Sequence, residues 1–451
     1  MMSDFETKFP YQNVLVLGLA KSGFAAASTL LAHGRNVRVS DLNASNQEEL
    51  VQILEQKGAQ VKLGVQEVEL LEGIDVLIKN PGIRYENVIV QTAMERNIPV
   101  LTEVELAGLL HKGTLIGITG SNGKTTTTTL AYEMLKESQV STYVAGNIGT
   151  AASEVADRTT EDDRLVLELS SFQLQGIDQF RPNISVMLNI FEAHLDYHHS
   201  LENYEQAKAN IFRKQDAGDY LVYNAEDERL RDIVKAAKAT LVPFSGSRKL
   251  EDGAWYDDTH VYFKDEPIAA MKDILLVGGH QLENILAALA AAKLAGATNE
   301  GIQQVLKTFS GVEHRLQYIK HINGRAFYND SKATNILATS KALSSFDQPI
   351  ILLAGGLDRG NTFETLVPFM EHVKALIVFG ETAEKLRETA YMAGIELIEH
   401  AKDVKEAAEI AYRISESGDV IMLSPACASW DQYRTFEERG DMFIEAVHTL
   451  E

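Results

Sequence analysis

An α/β fold in three domains is predicted for this chain, and three observations predict it. At 451 residues the chain is too long for a single hydrophobic core. Short apolar runs alternate with helical stretches, as parallel sheets with crossover helices require. Polar and glycine-bearing motifs follow the apolar runs, at the strand ends where ligands bind in such sheets. The boundaries are placed at 1–104, 105–310 and 311–451.

The first segment begins strand–turn–helix. In "NVLVLGLAKSGFAAASTLLAHG" an apolar strand, Val14 to Leu17, meets a glycine turn and an Ala/Leu-rich helix that ends near Gly34. A second strand, "NVRVSD", ends at Asp41. The pattern approaches G-x-G-x-x-G with an acid on the next strand, the dinucleotide fingerprint. Gly18 and Gly23 are present, but Ala20 stands at the middle position, where glycine lets a pyrophosphate approach the backbone. A nicotinamide cofactor is disfavoured, and a tight turn without any ligand is an equal reading. "LIKNPGI", Leu77 to Ile83, is a further strand running into a Pro-Gly turn.

The second segment carries "GITGSNGKTTTTTL" between an apolar strand and a helical stretch, Ala131 to Glu137. Converging N–H groups at a helix N-terminus suit phosphate oxygens. Gly120, Ser121, Asn122 and Gly123 form the loop, Lys124 supplies a charge, and Thr125 and Thr126 supply hydroxyls. The loop is shorter than G-x-x-x-x-G-K-[ST], which would need a glycine at Ile118. ATP binding is expected. The run Thr125 to Thr129 is expected to cap the helix through its hydroxyls. "RLVLELSSFQL" and "ISVMLNI" read as strands, and "HQLENILAALAAAKLAG" as a helix. Glu168 ends "LVLE", either as an oxygen ligand for Mg²⁺ or as a solvated loop acid. From residue type alone His194 reads as structural and Lys208, in "LENYEQAKANIF", as a solvated helix lysine.

The third segment offers the strands "PIILLAGG", "ALIVFG", "ELIEH" and "DVIMLSPA". Composition narrows the function. The formal charge of −22 argues against a nucleic-acid partner, so an anion site must be a local exception. No apolar run reaches membrane-spanning length, and the start "MMSDFETKFPYQN" lacks the features of a signal peptide. Cys427 is the only cysteine, which excludes intramolecular disulfides and thiol clusters. A cytoplasmic protein is expected.

The motifs "TGSNGKTT", "GNIGT", "LELSSFQL", "NIFEAHLDYH", "YEQAKANIF", "GGHQLEN", "GVEHRLQ", "NDSKATN" and "LSPACASWDQYRTFEERG" resemble, in order, the motif series of the Mur ligases. "DSKATN" and "SPACAS" point to a member that adds D-glutamate. The resemblance implies a Rossmann-like N-terminal domain, a central P-loop ATPase-like parallel sheet and a Rossmann-like C-terminal domain. It implies a shortened phosphate loop of this form, two Mg²⁺ ions on Thr125, Glu168, His194 and Lys208, and an N-carbamate on Lys208. Asn284 would contact adenine, Arg315 and Asp330 the phosphate and ribose; the family often has Asn where Gln281 stands. UDP would bind at Ser22, Asp41 and Gly82, with Lys21, Leu42 and Asn43 nearby, and Asn147 and Gln173 would lie along the sugar and pyrophosphate. D-glutamate would meet Lys332, Thr334, Arg359, Ser429 and Phe436. Arg359 stands where Lys is also seen, and Phe436 reads from residue type as plain core. The implied reaction joins D-glutamate to UDP-N-acetylmuramoyl-L-alanine through an acyl phosphate, in a monomer. Competing readings are a family member adding another amino acid, a nicotinamide dehydrogenase, and an ATP-driven switch without an amino-acid substrate.

Overall fold

The computed structural model describes residues 4–43, 48–64, 66–276 and 279–450. Among them the strands form sheets of five, nine and six members. The first two sheets belong to one compact unit, Met1–Ile274 with His280–Lys307. The third belongs to a second, Leu275–Gly279 with Thr308–Glu451.

The first sheet is parallel, in spatial order Gln60–Leu63, Asn36–Asp41, Asn13–Leu17, Val76–Lys79 and Val100–Leu101. Its centre, "NVLVL", has Val14 to Leu17 fully buried, as a strand covered on both faces must be. Leu17 pairs with Lys79, which sets the Gly18 turn beside residues 80–83 at the carboxyl ends of these strands. Gly18 has φ +94°, and a Cβ on Gly23 would collide with the Gly18 carbonyl, so both glycines serve the tight turn.

In the second sheet Thr114–Thr119 lies between Ile184–Met187 and Arg164–Glu168, all parallel. Ile118 pairs with Glu168 and Thr119 with Met187, so the phosphate loop, Glu168 and the segment after Met187 leave from the same carboxyl end of adjacent strands. The far side is not parallel: Ala254–Tyr256, His260–Phe263 and Glu266–Ala270 form antiparallel hairpins. These strands are short and partly exposed, so they lack the continuous apolar run that marks a buried parallel strand. Glu105, buried in the helix Glu103–Leu110, accepts the N–H groups of Asp178, Gln179 and Phe180 and ties that helix to the second sheet's loops.

Two expectations for this region need correction. "SSFQL" is not strand. The strand ends at Glu168 and a helical turn, Ser171–Leu174, follows. Ser170 and Gln173 form a capping box, a local signal that outweighs the apolar pattern. The threonine run does not cap its helix. That helix starts at Lys124 behind Gly123, with Thr126, Thr127 and Thr128 buried inside it and the Thr129 hydroxyl donated back to the Thr125 carbonyl.

The third sheet runs Gln317–Ile322, Arg325–Asn329, Val420–Leu423, Ile350–Gly355, Val373–Phe379 and Leu397–His400. It is parallel except for the hairpin made by its first two strands. Arg439, wholly buried on the helix Phe436–Thr449, donates to the Ser331 hydroxyl and carbonyl and to the carbonyls of Cys427 and Gly355. Burial lowers its pKa to about 10, offset only in part by Cys427, Asp431 and Tyr433. It joins "DSKATN" to "SPACAS". Arg439→Met should destabilise the second unit by about 3 kcal/mol, because four buried acceptors lose their donor. Urea unfolding of the full chain, followed by circular dichroism, measures it, and an unchanged midpoint would refute the role.

Candidate active site

The phosphate loop is braced from the next strand end. Ser121 N–H donates to the Asn189 carbonyl, Asn122 N–H to Asn189 Oδ1, and the Ser121 hydroxyl receives the Phe191 N–H at 2.9 Å. Gly123 has φ +81°, and a Cβ there would meet the Asn284 side chain. Glycine is required on both counts. Asn284 is buried on the helix Gly279–Leu294 and is turned toward Gly123 and the Thr127 hydroxyl, with its amide donated to Gln281. Lys124 folds back on its own loop, donating to the carbonyls of Gly120 at 2.8 Å and Ser121 at 3.0 Å. Thr125 is half-buried in the first helical turn and Thr126 is buried.

Lys208 overturns the reading of it as a solvated lysine. It is 1% exposed, and its ammonium donates to the same Gly120 carbonyl at 2.8 Å and lies 4.7 Å from the centre of the Tyr204 ring. Its helix, Leu201–Ala209, turns Tyr204, Ala207 and Lys208 inward. Burial, with the Lys124 charge added, pulls its pKa well below that of an ordinary lysine. Glu168 is no solvated loop acid either, being 2% exposed. One carboxylate oxygen accepts the Asn147 amide at 2.8 Å, and the other is buried without a hydrogen-bond partner. A buried, unshared carboxylate oxygen suits a hard cation, so this donor set fits Mg²⁺. His194 starts the turn Leu195–His198 at φ +55° and is exposed. The packing around it and the charges of Lys124 and Lys208 lower its pKa, keeping the imidazole neutral and able to ligate.

A cleft of about 310 Å³ lies on the same unit, lined by Lys21, Ser22, Gly82, Asn147 and Gln173 among others. It brings together residues from the ends of both sheets. Asp41 stands apart from the lining. Its carboxylate receives the N–H groups of Leu19 and Asn43 and so shapes the turn, while Leu42 is exposed. Sequence reasoning missed Asn80, Glu103 and Phe172, which also line the cleft. Asn80, whose amide reaches the Ser22 hydroxyl at 3.1 Å, could have been found in the Pro-Gly turn. Phe172 had no signal beyond its place after the capping serine.

In the second unit Asp330 is buried, accepting the Leu316 N–H and the Ser424 hydroxyl. Burial raises its pKa to about 7, partly countered by the Ser424 and Leu316 hydrogen bonds and then by the Arg315 charge. Arg315 is half-buried, with its Nε unpartnered. Ser429 is buried with an unpartnered hydroxyl. Lys332 lies 5.5 Å above the Phe436 ring, and the Arg359 guanidinium lies 5.0 Å from the ring centre of the exposed Trp430. Thr334 is half-buried in the same loop. Phe436 is half-buried rather than plain core, and its carbonyl accepts the Ser331 hydroxyl.

Three family profiles match in succession: a Mur ligase MurD-like N-terminal domain over residues 12–102, a Mur ligase middle domain over 118–292, and a Mur ligase glutamate ligase domain over 314–427. The chain is 60% identical over 444 residues to the UDP-N-acetylmuramoylalanine–D-glutamate ligase of Oceanobacillus iheyensis, covering 98% of this chain and 99% of that one. It is 56% identical over 441 residues to the enzyme of the same name from Bacillus subtilis, covering 97% and 98%. The chain belongs to the Mur ligase family. Its fold is also that of solved Mur ligases. UDP-N-acetylmuramate–alanine ligase from Thermotoga maritima aligns with a TM-score of 0.58 at 18% identity, over 97% of this chain and 100% of that one. MurF from Acinetobacter baumannii aligns with 0.59 at 16%, over 96% and 93%.

Within this Mur ligase the Asp330 carboxyl has a consequence for stability. A carboxyl whose folded pKa stands near 7, against about 4 unfolded, favours the fold fully below pH 4. That contribution is lost as pH rises through about 7. Asp330→Asn should remove this component, so the difference between wild type and variant should change between about pH 4 and 7 and level off above. Urea midpoints across that range measure it; a pH-independent difference would refute it.

Proposed function

We propose that this chain is the ATP-dependent ligase that joins D-glutamate to UDP-N-acetylmuramoyl-L-alanine in cytoplasmic peptidoglycan precursor synthesis, releasing ADP and phosphate. The observation that carries the reading is a juxtaposition in the first unit. Glu168 receives the amide of Asn147, a residue that lines the cleft, and leaves the sheet next to the strand that feeds the phosphate loop. A nucleotide-sugar in the cleft and a nucleotide triphosphate on the loop would thus meet across Glu168.

The alanine carboxylate of the UDP-linked substrate attacks the γ-phosphorus of ATP, giving an acyl phosphate and ADP. The D-glutamate amine then attacks the acyl carbon, and phosphate leaves. Lys124, released from its own loop carbonyls, would move to the β- and γ-phosphate oxygens, with the N–H groups of residues 120–125 behind it. Ser22, Gly82, Asn147 and Gln173 would orient the UDP-sugar, with Asp41 holding their turn. Thr125, Glu168, His194 and a carbamylated Lys208 would hold two Mg²⁺ ions, which supply charge compensation at the crowded phosphates. The depressed pKa of Lys208 supports the modification, because a neutral amine is the form that adds CO₂ with loss of a proton. In the second unit Lys332, Arg359, Thr334, Ser429 and the Phe436 backbone would take D-glutamate, and Arg315 and Asp330 the nucleotide. Asn284, which packs on Gly123, would shape the loop as well as face adenine. A monomer is proposed.

No helix among the described residues is long and apolar enough to cross a membrane, and the charge of −22 repels nucleic acid. A nicotinamide dehydrogenase is disfavoured by Ala20 in the cleft wall. Phosphate release, measured with UDP-N-acetylmuramoyl-L-alanine, ATP, Mg²⁺ and one amino acid at a time, tests the reading. D-glutamate should support turnover, while L-glutamate should be at least about 100-fold poorer, since its amine and two carboxylates cannot all be matched at once. Equal use of both enantiomers would overturn the pocket, and release without any amino acid would favour a switch.

Lys208→Ala is expected to lower kcat by about 100-fold or more, since an oxygen ligand and its charge are lost together. Formate or acetate should restore part of the loss by filling the space with an oxygen anion. Wild-type activity in the folded variant, in bicarbonate-free buffer, would remove Lys208 from the site.

A further inference from the structure

Lys79 is a buried cation to which the proposed reaction gives no part. It ends the strand Val76–Lys79 and is 1% exposed. Its ammonium donates to the Ile83 carbonyl at 2.9 Å, the Pro81 carbonyl at 3.4 Å and the Tyr197 hydroxyl at 3.1 Å. The Tyr85 ring centre lies 4.6 Å away and the Tyr197 ring centre 5.8 Å. Tyr197 reaches the same two carbonyls, each at 3.1 Å. The turn that presents Gly82 to the cleft is therefore gripped at both flanks by a lysine at the end of a first-sheet strand and a tyrosine in the helical turn Leu195–His198. Tyr197 stands in the turn Leu195–His198 that His194 begins, and its ring packs at 4.5 Å on Phe172, which lines the cleft and lies 5.0 Å from His194. Outside this core, Arg84 pairs with Asp196 and Glu86 with His199, both exposed.

We infer that Lys79 and Tyr197 form a clamp that sets the position of the Gly82 turn relative to His194, making Lys79 a positioning residue for the nucleotide-sugar substrate. The surface ion pairs contribute little to such a register, because exposed pairs are weak and screened. The buried donors are different. Two part-buried carbonyls flanking Gly82 take these donors, and losing them loosens the turn. Burial lowers the Lys79 pKa to about 7, and methionine keeps a chain of similar length while removing the three hydrogen bonds.

The clamp rests on the ligase reading, and one experiment separates their failures. Steady-state kinetics of Lys79→Met, Tyr197→Phe and the double variant are compared with wild type, varying UDP-N-acetylmuramoyl-L-alanine and D-glutamate separately. Lys79→Met should raise KM for the UDP substrate about tenfold, leave KM for D-glutamate within about twofold, and lower kcat far less than it raises that KM. Tyr197→Phe should raise the same KM a few-fold, and the double variant should fall short of the product of the two, as residues sharing two acceptors must. A merely structural lysine would lower the active fraction, and hence kcat, without moving KM. An unchanged KM for the UDP substrate in a folded Lys79→Met overturns the clamp; if that variant does not fold, an unchanged KM in Tyr197→Phe overturns it. No turnover by wild type sinks the ligase reading, and the clamp with it.

Discussion

Two lysine ammonium groups share one backbone oxygen, and the first unit is organised around that fact. Lys124 and Lys208 both donate to the Gly120 carbonyl at 2.8 Å. Two cations on one neutral acceptor, one of them almost wholly buried, is an expensive arrangement in low dielectric. Burial and then the neighbouring Lys124 charge both disfavour the protonated form of Lys208 there. The phosphate loop and the helix Leu201–Ala209 bring the two ammonium groups to this oxygen.

The scaffold achieves this with parallel-strand registry. Pairing of Ile118 with Glu168 and of Thr119 with Met187 makes three chain segments leave the carboxyl end of adjacent strands together. Asn189 then holds the loop backbone, and Gly123 makes room for Asn284. Glu168 keeps one buried carboxylate oxygen without a hydrogen-bond partner, at the end of the strand beside the one that feeds the loop.

The second unit is built on a different economy. Arg439 satisfies carbonyls from two loops and the strand end Gly355, and Asp330 is kept close to neutral by burial while it orders the Leu316 backbone. Charged groups left near the surface, Arg359 over Trp430 and Lys332 over Phe436, rest on aromatic faces. Buried polar ties thus hold the loops of this unit.

Local patterns carried much of this in the sequence alone. The apolar runs at Val14–Leu17, Leu165–Leu167, Ile350–Ala354 and Val420–Leu423 announced buried parallel strands, because such strands are covered on both faces and need no alternation. The loop Gly120–Thr125 was legible because phosphate binding demands glycines beside a lysine at a helix start. The short hairpins at 254–270 were not, since half-exposed strands leave only a faint pattern. Nor were the states of Lys208, Glu168 and Lys79. A lysine on a polar nine-residue helix looks solvated in any window, and only packing of that helix against the phosphate loop buries its ammonium. Residue type sets which proton a side chain can lose; the neighbours that long-range contacts bring, Gly120 and Tyr204 for Lys208, Tyr197 for Lys79, decide whether water or protein surrounds it.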